Sequence, residues 1–222
     1  MKIKVSKNGP YEVDGKIPLE REEINADEEG ASCCWKKTGK VDTRGDYRLC
    51  RCGKSMDKPF CDGTHIKTDF KCDDANEDEK YTDGVEEYEG EKLVLCDKEK
   101  LCAAARFCDR AGSAWNLVEE SDEKSEKILK EEVRDCPSGR LVLKDKNTGE
   151  VIEEKLVQSI SLVEDKPAGV SGPLWVKGKV EIESPRGKSY EKRNRVTLCR
   201  CGKSSNKPFC DGSHINAKFK EK

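Results

Sequence analysis

Cys50-Arg-Cys52-Gly-Lys-Ser55-Met-Asp-Lys-Pro59-Phe-Cys61-Asp62-Gly63-Thr-His65 returns near the other end of the chain as Cys199-Arg-Cys201-Gly-Lys-Ser204-Ser-Asn-Lys-Pro208-Phe-Cys210-Asp211-Gly212-Ser-His214. The copies differ only at Met56/Ser205, Asp57/Asn206 and Thr64/Ser213. Each closes on one of the only two histidines in the 222 residues. Three soft thiolates and one imidazole at C-x-C-x8-C-x3-H spacing form a four-donor metal site. A duplicated site implies a duplicated structural unit around it.

The likeness extends upstream. Gly9-Pro10-Tyr11-Glu-Val13-Asp-Gly15-Lys-Ile17 matches Gly172-Pro173-Leu174-Trp-Val176-Lys-Gly178-Lys-Val180. Both read as alternating strands entered through a Gly-Pro turn and broken by glycine. Two homologous β-rich units are expected, residues 1–72 and 166–222. The first has an excursion over Asp27–Thr43 that carries Cys33 and Cys34. Sheets this short cannot bury their own faces, so the copies are expected to pack about a pseudo-two-fold axis within a monomer. Residues 73–91 hold ten acidic residues and one lysine and read as a solvated linker. Residues 92–165 read as an inserted α+β module. It has a strand over Lys92–Cys96, a helix-like stretch over Leu101–Asp109 and a helix over Asp122–Asp135 capped by Ser121. A hairpin of Arg140–Lys144 with Glu150–Val157 closes it. The fold class is α+β.

Composition narrows the functions available. Charged residues make up 40% and hydrophobic ones 34%, so the core is modest and metal sites are expected to support it. A net charge of −2 provides no field for nucleic acid, and no apolar run has the length of a membrane span. The thirteen cysteines are odd in number, six sit at metal-ligand spacing, and Met-Lys-Ile-Lys-Val alternates like a strand instead of a signal peptide. A reducing cytoplasm fits this better than a disulfide scaffold. No acid–base or nucleophile–base pair points to an enzyme.

Spacing alone leaves zinc and iron–sulfur open, although C-x-C is tighter than the usual zinc pair. The residue identities go further. The block resembles the CDGSH (NEET) iron–sulfur family, whose pattern C-x-C-x2-[ST]-x3-P-x-C-D-G-[SAT]-H is matched twice. The resemblance implies a 2Fe–2S cluster in each unit. Cys50 and Cys52 would hold one iron and Cys61 and His65 the other, with Cys199, Cys201, Cys210 and His214 repeating the arrangement. A neutral imidazole in place of a thiolate removes one negative charge and eases electron uptake, as in Rieske centres, and it adds pH dependence. Pro59 and Pro208 set the backbone before the third ligand. Asp62-Gly63 and Asp211-Gly212 suit the turn that aims the histidine, and Phe60 and Phe209 read as cover. Relatives place a lysine after the upstream proline; here Tyr11 and Leu174 stand there.

Between the repeats, Cys102-x2-Ala105-x2-Cys108 and the distant Cys136-Pro137 are similar to a bacterial ferredoxin pattern with its middle cysteine lost. The stretch resembles divergent single-cluster ferredoxins, and its three candidate ligands, Cys102, Cys108 and Cys136, suit a 3Fe–4S cluster. Cys96 at its strand end is either a fourth ligand for 4Fe–4S or a small core residue. Cys33, Cys34 and Cys72 read as plain thiols. Two 2Fe–2S clusters and a ferredoxin-like one point to an electron-transfer protein, with cluster storage, cluster transfer or redox and pH sensing as the alternative. The basic stretch Arg186–Lys207 is a candidate dock for an acidic redox partner.

Overall fold

The computed structural model describes residues 1–43, 45–72 and 74–221; Asp73 and Lys222, where two expected segment boundaries fall, lie outside the described residues. The first unit contributes β1 (Lys2–Val5), β2 (Tyr11–Asp14), β3 (Leu19–Ala26), β4 (Ser32–Val41), β5 (Tyr47–Leu49) and the single-turn α1 (Thr64–Lys67). The middle contributes β6 (Glu86–Glu89), β7 (Leu93–Asp97), α2 (Ala114–Leu117), α3 (Glu123–Asp135), β8 (Leu141–Asp145) and β9 (Val151–Ile152). Then follow β10 (Ser159–Asp165), β11 (Val170–Lys177), β12 (Glu181–Glu183), β13 (Arg195–Leu198) and α4 (Ser213–Asn216).

These strands form sheets of order β12-β1-β2-β5, β13-β11-β10-β3-β4 and β6-β7-β8-β9. The first two exchange strands reciprocally. β12 joins the first sheet parallel to β1, with Ile182 beside Ile3, and β3 joins the second parallel to β10, with Leu19 beside Ile160. Exchange follows from strand length, because three short strands with one apolar face hold together only by sharing a core. That core is common to both units and includes Ile3, Val13, Leu49, Leu162, Val176 and Leu198. Gly15 and Gly178, at matching positions, have φ of 77° and 81° and let the chain leave one sheet for the other.

The middle module packs α3 on the third sheet through Leu129 and Val133 against Leu95, Leu141 and Leu143. Asp122, one residue later than expected, caps α3, its carboxylate accepting from the N–H groups of Lys124 and Ser125. The stretch expected to be helix-like holds two separate 3₁₀ turns, Glu99–Leu101 and Phe107–Asp109. A cluster of Trp35, Phe107 and Trp175, with ring centroids 5.0 and 4.7 Å from Trp35, fastens the module to the second sheet.

Four further expectations change. β6 pairs with β7, so the third sheet begins inside residues 73–91. β10, read as the end of the module, lies between β11 and β3; its Ile160, Leu162 and Val163 have their apolar partners there. Gly9-Pro10 precedes β2 as expected, but β11 runs through Gly172-Pro173. A register shift between Leu162 and Glu164 absorbs the proline that cannot donate to the ladder. The acidic segment is a strap and no solvated linker. Glu77 is 4% exposed and pairs with Arg186, Asp78 pairs with Lys188, and Glu79 accepts Lys98 and Lys100. Much of the basic stretch is thereby matched within the chain, since Lys192 and Arg195 also meet Glu181 and Glu153. Among the described residues, no helix is long and apolar enough to cross a membrane.

Candidate metal centres

β5 delivers Cys50 at its end, and the following loop folds back on it. The Cys50 N–H donates to the Pro59 carbonyl (2.8 Å) and the Cys61 N–H to the Arg48 carbonyl (2.9 Å). β13 repeats this for Cys199 with Pro208 (2.8 Å) and Cys210 with Thr197 (2.9 Å). The third cysteine is thus clamped beside the first. Asp62 then accepts from the N–H groups of Met56 and Thr64, tying the loop to the start of α1, which carries His65. Asp211 does the same with Ser205 and Ser213. These aspartates hold the turn, and both carboxyls lie well below the usual carboxylate range because backbone N–H groups and nearby hydroxyls favour the charged form.

The donors come in pairs. Cys50 and Cys52 Sγ atoms are 3.8 Å apart, and Cys61 Sγ is 3.4 Å from His65 Nδ1. In the second unit the separations are 3.7 Å for Cys199 and Cys201 and 3.5 Å for Cys210 and His214 Nδ1. Among the described residues, no three His, Cys, Asp or Glu side chains converge on a point that could hold one metal ion. Two pairs suit two metals. The hydrogen bond from Cys52, joined by backbone N–H groups of Gly53, Lys54 and Ser55, brings Cys50 down to about 6 and leaves Cys52 raised. Cys199 falls to about 6 for the same reasons. Such a ring of N–H groups is a cradle for an anionic thiolate–metal group.

Both C-x-C loops are built around the arginine between the cysteines, a role the sequence reading missed although the repeated Cys-Arg-Cys signalled it. Arg51 is 1% exposed; it donates to the Ser6 carbonyl (2.9 Å) and Cys72 Sγ (2.6 Å) and pairs with Asp74. Arg200 donates to the Gly172 and Val163 carbonyls (2.7 Å each) and pairs with Glu164 and Glu221. Cys72 is therefore an arginine partner. Tyr11, at the position that departs from the family pattern, crosses to the other unit and donates to the carbonyls of Cys199 (2.7 Å) and Pro208 (3.1 Å).

The two sites differ in cover. Cys210 and His214 are each 2% exposed, whereas Cys61 and His65 are half-buried. Burial brings His214 down to about 4.

In the middle module, Cys102 follows the first 3₁₀ turn, Cys108 lies in the second and Cys136 ends α3; all three line one cavity with Pro137 and Arg140. Burial and the neighbouring Cys136 and Cys102 raise Cys108 to about 12. Arg140 supplies the opposite charge, held bidentate by Asp97 (2.6 and 2.7 Å) and lying over the Trp115 ring. Cys96 does not join them. It alternates with the core-facing Leu95 in β7, and its Sγ lies 3.5 Å from Glu87 Oε1. Cys33 and Cys34, with Sγ atoms 3.4 Å apart on β4, stand apart from every donor pair, and the hydrogen bond with Cys34 raises Cys33.

Comparison with known families gives the same three regions. Residues 8–66 and 171–215 match the family described as iron-binding zinc finger CDGSH type, and residues 88–146 match the divergent 4Fe–4S mono-cluster family. A search of curated proteins finds no match to the chain.

Proposed function

The chain is an iron–sulfur protein of two CDGSH units flanking an inserted divergent 4Fe–4S mono-cluster domain, and from that premise we propose that it is an electron carrier without substrate turnover. Each CDGSH unit would hold a 2Fe–2S cluster, with Cys50 and Cys52 on one iron and Cys61 and His65 on the other. Cys199, Cys201, Cys210 and His214 do the same in the second unit. Cys102, Cys108 and Cys136 would hold a third cluster, 3Fe–4S or a 4Fe–4S with one iron off the protein thiolates. Bound there, such clusters would supply one-electron chemistry, the two 2Fe–2S ones at potentials raised by their histidine ligands.

The observation that carries this reading is the pairing of donors in each unit, two thiols side by side and a thiol beside an imidazole, which suits two metals. The chain's own residues do the rest. Backbone N–H groups at Cys50 and Cys199 stabilise negative charge, Arg140 offsets it in the middle cavity, and the buried Arg51 and Arg200 keep the loops from relaxing. Anaerobically purified protein should contain about seven to eight irons with matching sulfide and show 2Fe–2S absorbance and paramagnetic spectra. Stoichiometric zinc without visible absorbance would overturn the proposal.

The half-buried Cys61 and His65 support a second reading, cluster storage and transfer from the first unit. Delivery of a 2Fe–2S cluster to an apo-ferredoxin, with no reversible reduction of the donor, would favour it.

A further inference from the structure

The second unit's outer donor pair does not face solvent. Gly212, between Cys210 and His214, lies against the Cys102–Ala104 loop of the middle module. A methyl group there would come within 3.2 Å of Ala104 Cβ and 3.5 Å of the Cys102 carbonyl oxygen. The Asn206 side-chain amide, in the same ligand loop, donates to the Lys100 carbonyl at 3.1 Å. One ligand of the middle centre thus abuts one end of the second CDGSH centre.

The other end abuts the first centre. Gly53 and Gly202 follow the inner cysteines Cys52 and Cys201, and each packs on the other loop. A methyl group would lie 2.7 Å from the Cys201 carbonyl carbon in one case and 2.8 Å from that of Cys52 in the other. Beyond Cys50 and Cys52 come Cys61 and His65, half-buried and flanked by Met56 and Ile66, which are 90% and 77% exposed. The first unit does touch the middle module, through Trp35 to the Asp135 carbonyl and Arg110 to the Cys33 carbonyl. Those contacts come from β4, which carries no ligand.

We infer that the three centres are wired in series, middle to second CDGSH to first CDGSH, with the outer donor pair of the first, Cys61 and His65, as the edge through which the CDGSH centres exchange electrons with solution. The inference rests on the reading that all three sites hold clusters. Each step moves one electron between neighbours, oxidising one centre and reducing the next, and no covalent bond forms or breaks. The Cys102–Gly212 and Cys52–Cys201 contacts are the two junctions. An external one-electron carrier supplies or removes the electron at the Cys61–His65 edge.

The test uses the fully loaded chain. Iron, sulfide and spectra first establish that three clusters are present; their absence defeats the underlying reading and is seen before the wiring is tested. Electron spin relaxation of the middle centre, in the oxidation state that gives it a half-integer spin and with the CDGSH centres reduced, is then compared in the parent, in C199A and in C50A, with cluster loss checked by iron content. The relaxation enhancement should vanish in C199A and persist in C50A. Persistence in C199A, or loss in C50A, would overturn the order. Should either variant fail to fold, the unmodified protein is reduced and mixed with a soluble lanthanide chelate. The chelate should speed the relaxation of one of the two 2Fe–2S signals, and acting on both or on neither would overturn the inference.

Discussion

A histidine in place of a cysteine would be the smallest change separating the proposed centres from an all-thiolate ferredoxin site, and its consequence would be electrostatic. His65→Cys and His214→Cys are expected to keep a 2Fe–2S cluster but lower its reduction potential, because each restores one negative charge to the ligand set. Spectroscopic redox titration of the two variants checks this; unchanged potentials in both would mean that neither imidazole is a ligand. Cys96 tests the middle centre at the same scale. Its thiol turns away from the cavity toward Glu87, so Cys96→Ala should leave the cluster spectrum intact and cost about 1 kcal/mol of stability. Loss of the spectrum in Cys96→Ala would return it to the ligand set. Alanine at Cys102, Cys108 or Cys136 should abolish the centre, since fewer than three thiolates would remain to hold it.

At the scale of elements, the sensitive feature is the pair of C-x-C loops lying on each other. Gly53 has φ of 74°, and any side chain there meets the Cys201 backbone, which cannot rotate away. Gly149 has φ of 71° with open space around it, so it isolates the conformational cost alone, roughly 1–2 kcal/mol. Gly53→Ala should therefore destabilise the protein clearly more than Gly149→Ala, and it should disturb the spectra of both 2Fe–2S centres. Equal denaturation midpoints for the two variants would show that the loops part without cost.

The whole molecule is held by a strap whose charge pattern is complementary to the surface it crosses. Glu77 pairs with Arg186, and that hydrogen bond brings its carboxyl down to about 2. A carboxyl lowered on folding contributes stability that is present above its unfolded value of about 4.5 and lost as pH falls toward the folded one. Glu77→Gln should thus be less stable than the parent at neutral pH, and the gap should close between about pH 4.5 and 2. Parallel denaturation of both proteins across that range measures the gap, and a gap independent of pH would assign the contact to packing instead of charge.

The two equivalent CDGSH blocks, the third cysteine-bearing region between them and the α+β class were legible in the residues because motif chemistry is local: eight candidate donors occupy two blocks of sixteen residues. The strand signals at β2, β7 and β8 and the α3 periodicity were legible for the same reason, since each depends on neighbours within a few residues. What escaped depended on partners far along the chain. The sequence placed Arg51 and Arg200 inside the ligand loops, but their roles as buried struts come from Asp74, Glu164 and Glu221. The acidic run read as linker until Arg186 and Lys188 lay opposite it. β10 read as the tail of the module until β3, more than a hundred residues earlier, supplied a parallel partner. By itself the sequence determined the two repeated blocks and the candidate donors in them. Only the tertiary structure decided which donor pair is covered and which stands open, because the Cys102–Ala104 loop, about a hundred residues earlier, packs on Gly212 between Cys210 and His214.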